Sequence, residues 1–149
     1  MCDPQLLAAL RFTAGLPREM LGELASISTL RTLPAESVIF REGAICPDLF
    51  LVQSGYVALD MRVPGRGAVL VFSVGEGELL GWSPLLGEGK MTATATVIEA
   101  AAVVVIPGAD LRKLCESNHN IGYRVMQQVA LALSQRLVAT RLQLLDLFA

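Results

Sequence analysis

The chain has 149 residues, of which 53% are hydrophobic and 17% are charged, and its formal net charge is -2. This length fits one domain of ordinary size, and the lack of a basic excess argues against a domain that binds DNA or RNA by itself. Three widely spaced cysteines (Cys2, Cys46 and Cys115) and a single histidine argue against a zinc site and favour reduced thiols. No signal-peptide pattern opens the sequence, which predicts a cytoplasmic protein.

Residues 1–28 are predicted to form helices. A break at residues 15–17 separates two apolar patterns. Pro17 suits the first turn of the second helix, whose apolar face holds Met20, Leu21 and Leu24. We therefore expect two N-terminal helices ahead of the rest of the domain.

Residues 29–107 change to short apolar segments that are separated by glycine or proline. Segments that recur about every ten residues in this way are typical of an antiparallel sandwich or roll. No long helical pattern interrupts them, so a parallel sheet built from strand–helix–strand units is not expected. The predicted strands are 29–33, 37–41, 48–53, 56–62, 68–74, 79–80, 92–100 and 101–106.

Residues 108–149 are predicted to be helical again. A short helix over 109–116 and a polar link over 117–120 precede one long helix from Ile121 to about Phe148. Apolar residues recur along the long helix at steps of three and four, and they are too many for one small sheet to cover. A second copy of the chain is the expected partner, which predicts a homodimer; the alternative is packing along its own domain. We treat residues 1–149 as a single domain.

The segment over residues 75–87, called the cassette below, is the strongest candidate for a binding site. Ser83 can act as the N-cap and Pro84 as the first residue of a short helix, whose free amides would face Gly81 and Trp82. Such amides form an anion site, and the following strand presents the hydroxyls of threonines at 92, 94 and 96. The pattern suggests a small phosphate-bearing ligand, and the alternative, which needs no ligand, is a tight turn, a capped helix and an exposed threonine-rich strand.

Four segments carry a resemblance to a known family. They are 12–17 (FTAGLP), 34–43 (PAESVIFREG), 49–57 (LFLVQSGYV) and 77–81 (GELLG). In this order they resemble the cyclic-nucleotide-binding domain of the catabolite-activator (Crp/Fnr) family. The resemblance implies an α+β, mainly β fold: an antiparallel β-roll or jelly roll with N-terminal helices, a short helix and a long C-terminal dimerisation helix. It extends to stand-alone bacterial members that read Gly-Trp-Ser, as at 81–83, and lack the helix-turn-helix, which implies a complete protein that does not bind DNA directly.

The resemblance also implies a modified ligand site. Members that bind cyclic AMP or cyclic GMP have a glutamate after the cassette glycine for the ribose hydroxyl, and an arginine about ten residues on for the phosphate. This chain has Trp82 at the first position, and Ala93 or Thr94 at the second; Lys90 is the cation of that loop. Losing a charged contact to phosphate costs about 2–3 kcal/mol, or roughly a hundredfold in affinity. A cyclic nucleotide would therefore be held weakly.

One residue of the long helix has a counterpart in the family. Thr140 lies where members place a threonine that meets the adenine from across the dimer. A threonine in an apolar helix stripe can instead bond its own backbone four residues back. Both interpretations are open from the sequence.

These observations predict a small-molecule sensor or regulatory module that signals through its long C-terminal helix. Its ligand would be cyclic AMP or cyclic GMP bound weakly, or a different small anion; no cofactor is certain, and no metal or membrane partner is expected. The alternative is a degenerate, non-binding domain that acts as a dimerisation or protein-interaction scaffold, with Trp82 filling the pocket. An enzyme is not expected, because no nucleophile pattern lies near His119. The predicted ligand-binding residues are Gly81, Trp82, Ser83, Leu85, Thr92, Thr94 and Thr140.

Overall fold

The computed structural model describes residues 2–147. Its first elements are the helices α1 (Pro4–Ala8) and α2 (Arg18–Ile27). The Asp3 carboxylate accepts a hydrogen bond from the amide of Gln5 and caps α1, while Pro4 occupies the first turn, where its missing amide costs nothing. The two helices predicted before the sheet are therefore present.

The sheet region of the described residues is antiparallel throughout. Its strands run in the order β1-β6-β3-β4, with β2 paired to β6 and β5 paired to β3. This arrangement, with helices before and after it, confirms the predicted roll. The strands are β1 (Thr29–Leu33), β2 (Val38–Phe40), β3 (Asp48–Val63), β4 (Gly67–Val74), β5 (Leu79–Leu80) and β6 (Thr94–Pro107).

Two pairs of predicted strands are each one long strand. Residues 48–53 and 56–62 both belong to β3, and residues 92–100 and 101–106 fall mostly within β6. Gly55 falls in the gap between two predicted strands, but it lies within β3 at φ +92, where an added Cβ would be 2.5 Å from the carbonyl oxygen of Ala100. The β3–β6 register shifts around it, so this glycine bends the paired strands without ending them.

The core has two parts because side chains alternate across the sheet. Leu49 and Leu51 face one side, where they pack with residues of the helices, including Leu24 and Ile121. On the other side, inside the roll, the core consists of Phe40, Phe50, Val52, Val57, Leu59, Val74, Leu80, Met91, Ala95, Val97, Ala101, Val103 and Val105. The cassette contains β5, in which Leu79 belongs to the first part of the core and Leu80 to the second.

Three further helices complete the described chain. They are α3 (Ser83–Leu86), α4 (Gly108–Ser117) and α5 (His119–Leu147). The side-chain oxygen of Asn118 accepts hydrogen bonds from the amides of Asn120 and Ile121 and so starts α5. Phe148, the predicted end of α5, lies outside the described residues. Within residues 2–147, none of the helices combines the length and apolar character that crossing a bilayer requires.

Candidate functional site

Helix α3, which forms the turn of the cassette, begins one residue earlier than predicted. Ser83 is the first residue of α3 and not its N-cap; Trp82 holds the cap position in a helical conformation and makes no side-chain capping bond. Pro84 is then the second helical residue. Gly81 has φ +82, which favours glycine, and a Cβ there would lie 3.3 Å from the terminal methyl of Met91. The chain therefore turns sharply just before the helix.

The backbone donors of the turn are fewer than predicted. The amides of Leu85 and Leu86 both donate to the carbonyl of Trp82 at 3.0 Å, and Pro84 has no amide proton. Within residues 2–147, no acceptor is found for the amides of Trp82 and Ser83. A helix of one turn has little dipole to add, so the backbone alone makes a weak anion site.

Helix α4 holds the cassette turn in place, which sequence reasoning missed. The Arg112 guanidinium donates to the carbonyl oxygens of Pro84 at 2.9 Å and Leu85 at 3.1 Å. These carbonyls lie at the end of α3, where helical partners are lacking. Gly108, the first residue of α4, lies so close that an added Cβ would be 2.7 Å from the Cβ of Pro84. The spacing from the cassette to α4 gave no sign of either contact.

A small cavity, called the cassette cavity below, lies beside the turn. Its volume is about 30 Å³, close to that of one water molecule. It brings together four predicted site residues, namely Gly81, Trp82, Ser83 and Thr92. The lining residues are Phe40, Leu59, Gly81, Trp82, Ser83, Met91, Thr92, Ala93 and Arg136.

The other three predicted residues do not line this cavity. The Leu85 side chain is buried in the core between sheet and helices. The Thr94 hydroxyl, at the first residue of β6, accepts a hydrogen bond from the amide of Glu42 at 3.0 Å. The Thr140 hydroxyl donates to the carbonyl of Arg136 at 2.8 Å, which is the backbone bond that the sequence left open. Between the two candidates for the family arginine position, Ala93 is the one that lines the cavity.

Arg136 of α5 supplies the charge of the cassette cavity, and the sequence analysis did not find it. Its Nη2 donates to the carbonyl of Leu79, and its guanidinium carbon lies 4.7 Å from the centre of the Trp82 ring and 6.0 Å from that of Phe72. The signal was available: Arg136 comes seven residues after buried Val129, on the inward face of the helix. An arginine at such a position is unusual enough to indicate a role.

The second terminal nitrogen of Arg136 is buried without a partner. Within residues 2–147, Nη1 makes no hydrogen bond. Burial lowers the pKa of Arg136, and the charge of Glu78 acts in the opposite direction. Arginine nevertheless stays protonated at neutral pH, so the cavity wall carries a positive charge.

A larger cavity, called the helix cleft below, also borders Arg136. Its volume is about 160 Å³, and it runs between α5, the link from α1 to α2, the end of β4 and the turn before β5. Among the described residues, Arg136 is the one that lines both cavities, so its side chain borders each of them. The cleft is lined by Arg11, Phe12, Phe72, Ser73, Val74, Gly77, Glu78, Leu79, Gln128, Leu131, Ala132, Gln135, Arg136 and Ala139.

The chain is similar to known proteins both in sequence and in structure. The family model described as cyclic nucleotide-binding domain matches residues 30–118. A protein from Geobacter metallireducens GS-15, whose name assigns it to cyclic nucleotide binding, is 35% identical, with a TM-score of 0.81 over 92% of this chain and 99% of its own. The Catabolite Activator Protein of Thermus thermophilus is 29% identical, with a TM-score of 0.75 over 92% of this chain and 62% of its own.

A more distant structure shows the fold alone. The regulatory domain of Toxoplasma gondii PKA, solved with cAMP, is 16% identical, with a TM-score of 0.71 over 85% of this chain and 48% of its own. No curated protein sequence matches the chain.

Proposed function

The chain belongs to the family of cyclic nucleotide-binding domains, and on that premise we propose that it senses a small anionic ligand at the cassette. Cyclic AMP or cyclic GMP, held weakly, is the first candidate. The observation that carries the proposal is the placement of Arg136: a residue of the long helix α5 forms part of the cassette cavity. A ligand there would contact the helix directly, so that its binding could reach α5.

The residues at the site fit part of a cyclic nucleotide. The unpartnered Nη1 of Arg136 suits an anionic phosphate oxygen, since paired charges form the stronger hydrogen bonds. Trp82 stands where the ribose acceptor would be needed, and it offers an apolar ring with no acceptor oxygen. The site therefore supports recognition of the anionic group more than recognition of the ribose.

Dimerisation through α5 is the second part of the proposal. Five of the nine large apolar side chains that α5 exposes follow the heptad spacing of a coiled coil, namely Tyr123, Met126, Leu137, Leu144 and Leu147. Thr140 lies on the same seam, so its predicted contact with a ligand in the other subunit belongs to this proposal. The a positions are Tyr123, Ala130, Leu137 and Leu144, and the d positions are Met126, Leu133, Thr140 and Leu147.

Thermal unfolding with and without nucleotide tests ligand binding. A ligand at ten times its Kd stabilises the folded state by about 1.4 kcal/mol, which for a chain of this size raises the midpoint by about 3–6 °C. We expect such a rise with millimolar cyclic AMP or cyclic GMP and none with sodium chloride at equal ionic strength. If neither nucleotide moves the midpoint, they are not the ligands of this domain.

The volume of the cassette cavity favours a second candidate function. A cavity of about 30 Å³ is far below the several hundred Å³ that a ligand of nucleotide size occupies. If Trp82 and Arg136 fill the site permanently, the domain is a dimerisation or protein-interaction scaffold. Under this hypothesis, the fluorescence emission of Trp82, the single tryptophan, does not change when a nucleotide is added. Quenching by acrylamide as strong as that of free tryptophan would contradict a filled pocket.

A further inference from the structure

We propose that Arg136 is both the anion receptor of this domain and a movable partition, so that an oxyanion bound to Nη1 opens the cassette cavity into the helix cleft. This inference rests on the proposed function and adds the chemistry of the ligand and the side chain that responds to it. The ligand class is a small organic phosphate or carboxylate.

The first step concerns charge. The cassette cavity and the helix cleft are lined by two arginines, Arg11 and Arg136, and by one carboxylate, Glu78. A Glu78 carboxylate oxygen already accepts the amide of Gly75 at 3.1 Å, and Nη1 of Arg136 has no acceptor within residues 2–147. The linings are thus net positive although the chain as a whole is net negative. A buried charged donor is costly unless it is paired, and an oxyanion would pair it.

The second step concerns space. Arg136 borders both the cassette cavity of about 30 Å³ and the helix cleft of about 160 Å³. In this proposal, movement of its guanidinium joins the two spaces. When it moves, the guanidinium loses its hydrogen bond to the carbonyl of Leu79 and its contact with the Trp82 ring. A hydrogen bond to the oxyanion replaces the one that is lost. The joined space admits a ligand that the cassette cavity alone is too small to hold.

The third step concerns the rest of the ligand. The helix cleft offers the apolar side chains of Phe72 and Leu131 together with the amides of Gln128 and Gln135. Amide side chains donate and accept, and an aromatic face favours a flat ring. We therefore expect the oxyanion to be attached to a ring that carries hydrogen-bonding groups. Three of these four side chains belong to α5, so the ligand would touch the helix along two of its turns.

The test compares three variants with the wild-type chain. Arg136→Met removes the charge and keeps an apolar stem, and Arg136→Lys keeps the charge without the planar fork. Arg124→Met is the matched control, because Arg124 is an exposed arginine of the same helix and lines neither cavity. The probes are sodium phosphate, cyclic AMP and the neutral adenosine, all at one ionic strength. The readouts are the thermal midpoint and the emission of Trp82.

We expect cyclic AMP and phosphate to raise the midpoint of the wild type and to change the Trp82 emission as the guanidinium leaves the ring. Arg136→Met should lower the affinity for both anions by at least about tenfold. The affinity of Arg136→Lys should be intermediate, and that of Arg124→Met should match the wild type. Adenosine should have little effect on any of them. If Arg136→Met does not fold, Arg136→Lys and the wild-type emission still give the answer.

Two results would overturn the inference: equal anion responses in the wild type and Arg136→Met, or no anion response in the wild type at all. The proposed function fails separately. If adenosine stabilises every variant as strongly as cyclic AMP does, the domain still senses a ligand, but both the anionic ligand class and the role of Arg136 are wrong. If inorganic phosphate acts through Arg136 while cyclic AMP and cyclic GMP do nothing, the inference stands and the nucleotide assignment falls.

Discussion

The guanidinium carbon of Arg136 lies 4.7 Å from the centre of the Trp82 ring, so a side chain of the long helix rests on the residue that follows the cassette glycine. A cation on an aromatic face is worth about 0.5–2 kcal/mol, depending on how dry the site is. That energy favours the closed cavity. Any ligand that enters must replace this contact with a better one, and the contact thereby sets a threshold for binding.

The missing family residues give the first prediction. Trp82→Glu combined with Ala93→Arg should raise the affinity for cyclic AMP by about tenfold to a hundredfold, because it adds an acceptor for the ribose and a cation for the phosphate. Titration calorimetry of the double variant against the wild type measures the gain. The control pairs Trp82→Glu with Thr94→Arg. The Thr94 hydroxyl is bonded to the amide of Glu42, outside the cavity, so this arginine should add less. Equal gains from both pairs would contradict the placement of Ala93.

Alternation and turn residues were enough to predict the sheet. The sequence could not distinguish a bend at Gly55 from a turn, because a glycine is typical of both. Only the pairing of β3 with β6 along its length shows that the strand continues. The cassette was found because its glycine, tryptophan and serine are adjacent in the chain. The helix periodicity could place Arg136 on the inward face of α5, but its contact with the carbonyl of Leu79, 57 residues away, has no local sequence pattern.

The second prediction tests the dimer. Leu137 lies at an a position and is 53% exposed, whereas Leu142 lies at an f position and is 58% exposed. Leu137→Glu should place a charge in the helix seam and shift the protein to monomers in sedimentation velocity, since charged residues there oppose pairing. Leu142→Glu, with similar exposure on the opposite face, should leave the dimer intact. If both variants behave alike, the seam is not where the helices meet.

The third prediction follows from the cysteines. Burial raises the pKa of the Cys46 and Cys115 thiols, because the folded state disfavours the thiolate. A raised folded-state pKa contributes stability below the ordinary thiol pKa of about 8.5, and that stability is lost as pH rises through the folded value. Urea unfolding should therefore show stability falling above about pH 8.5. The fall should be smaller in a Cys46→Ala, Cys115→Ala variant; an unchanged fall would assign it to other groups.

The fourth prediction concerns the contact between α4 and the cassette. Gly108→Ala would bring a methyl group to 2.7 Å from the Cβ of Pro84 and 2.9 Å from its carbonyl oxygen, so either α4 or α3 must shift. Overpacking of this kind costs about 1–3 kcal/mol, and because either shift changes how α4 supports α3, ligand binding at the cassette should weaken as well. Gly22→Ala is the matched control: it lies inside α2 with nothing within 4 Å of the added methyl, and it should stabilise the fold by about 0.5–1 kcal/mol. Thermal melts of both variants measure the two effects, and a neutral Gly108→Ala would mean that the cassette turn does not depend on α4.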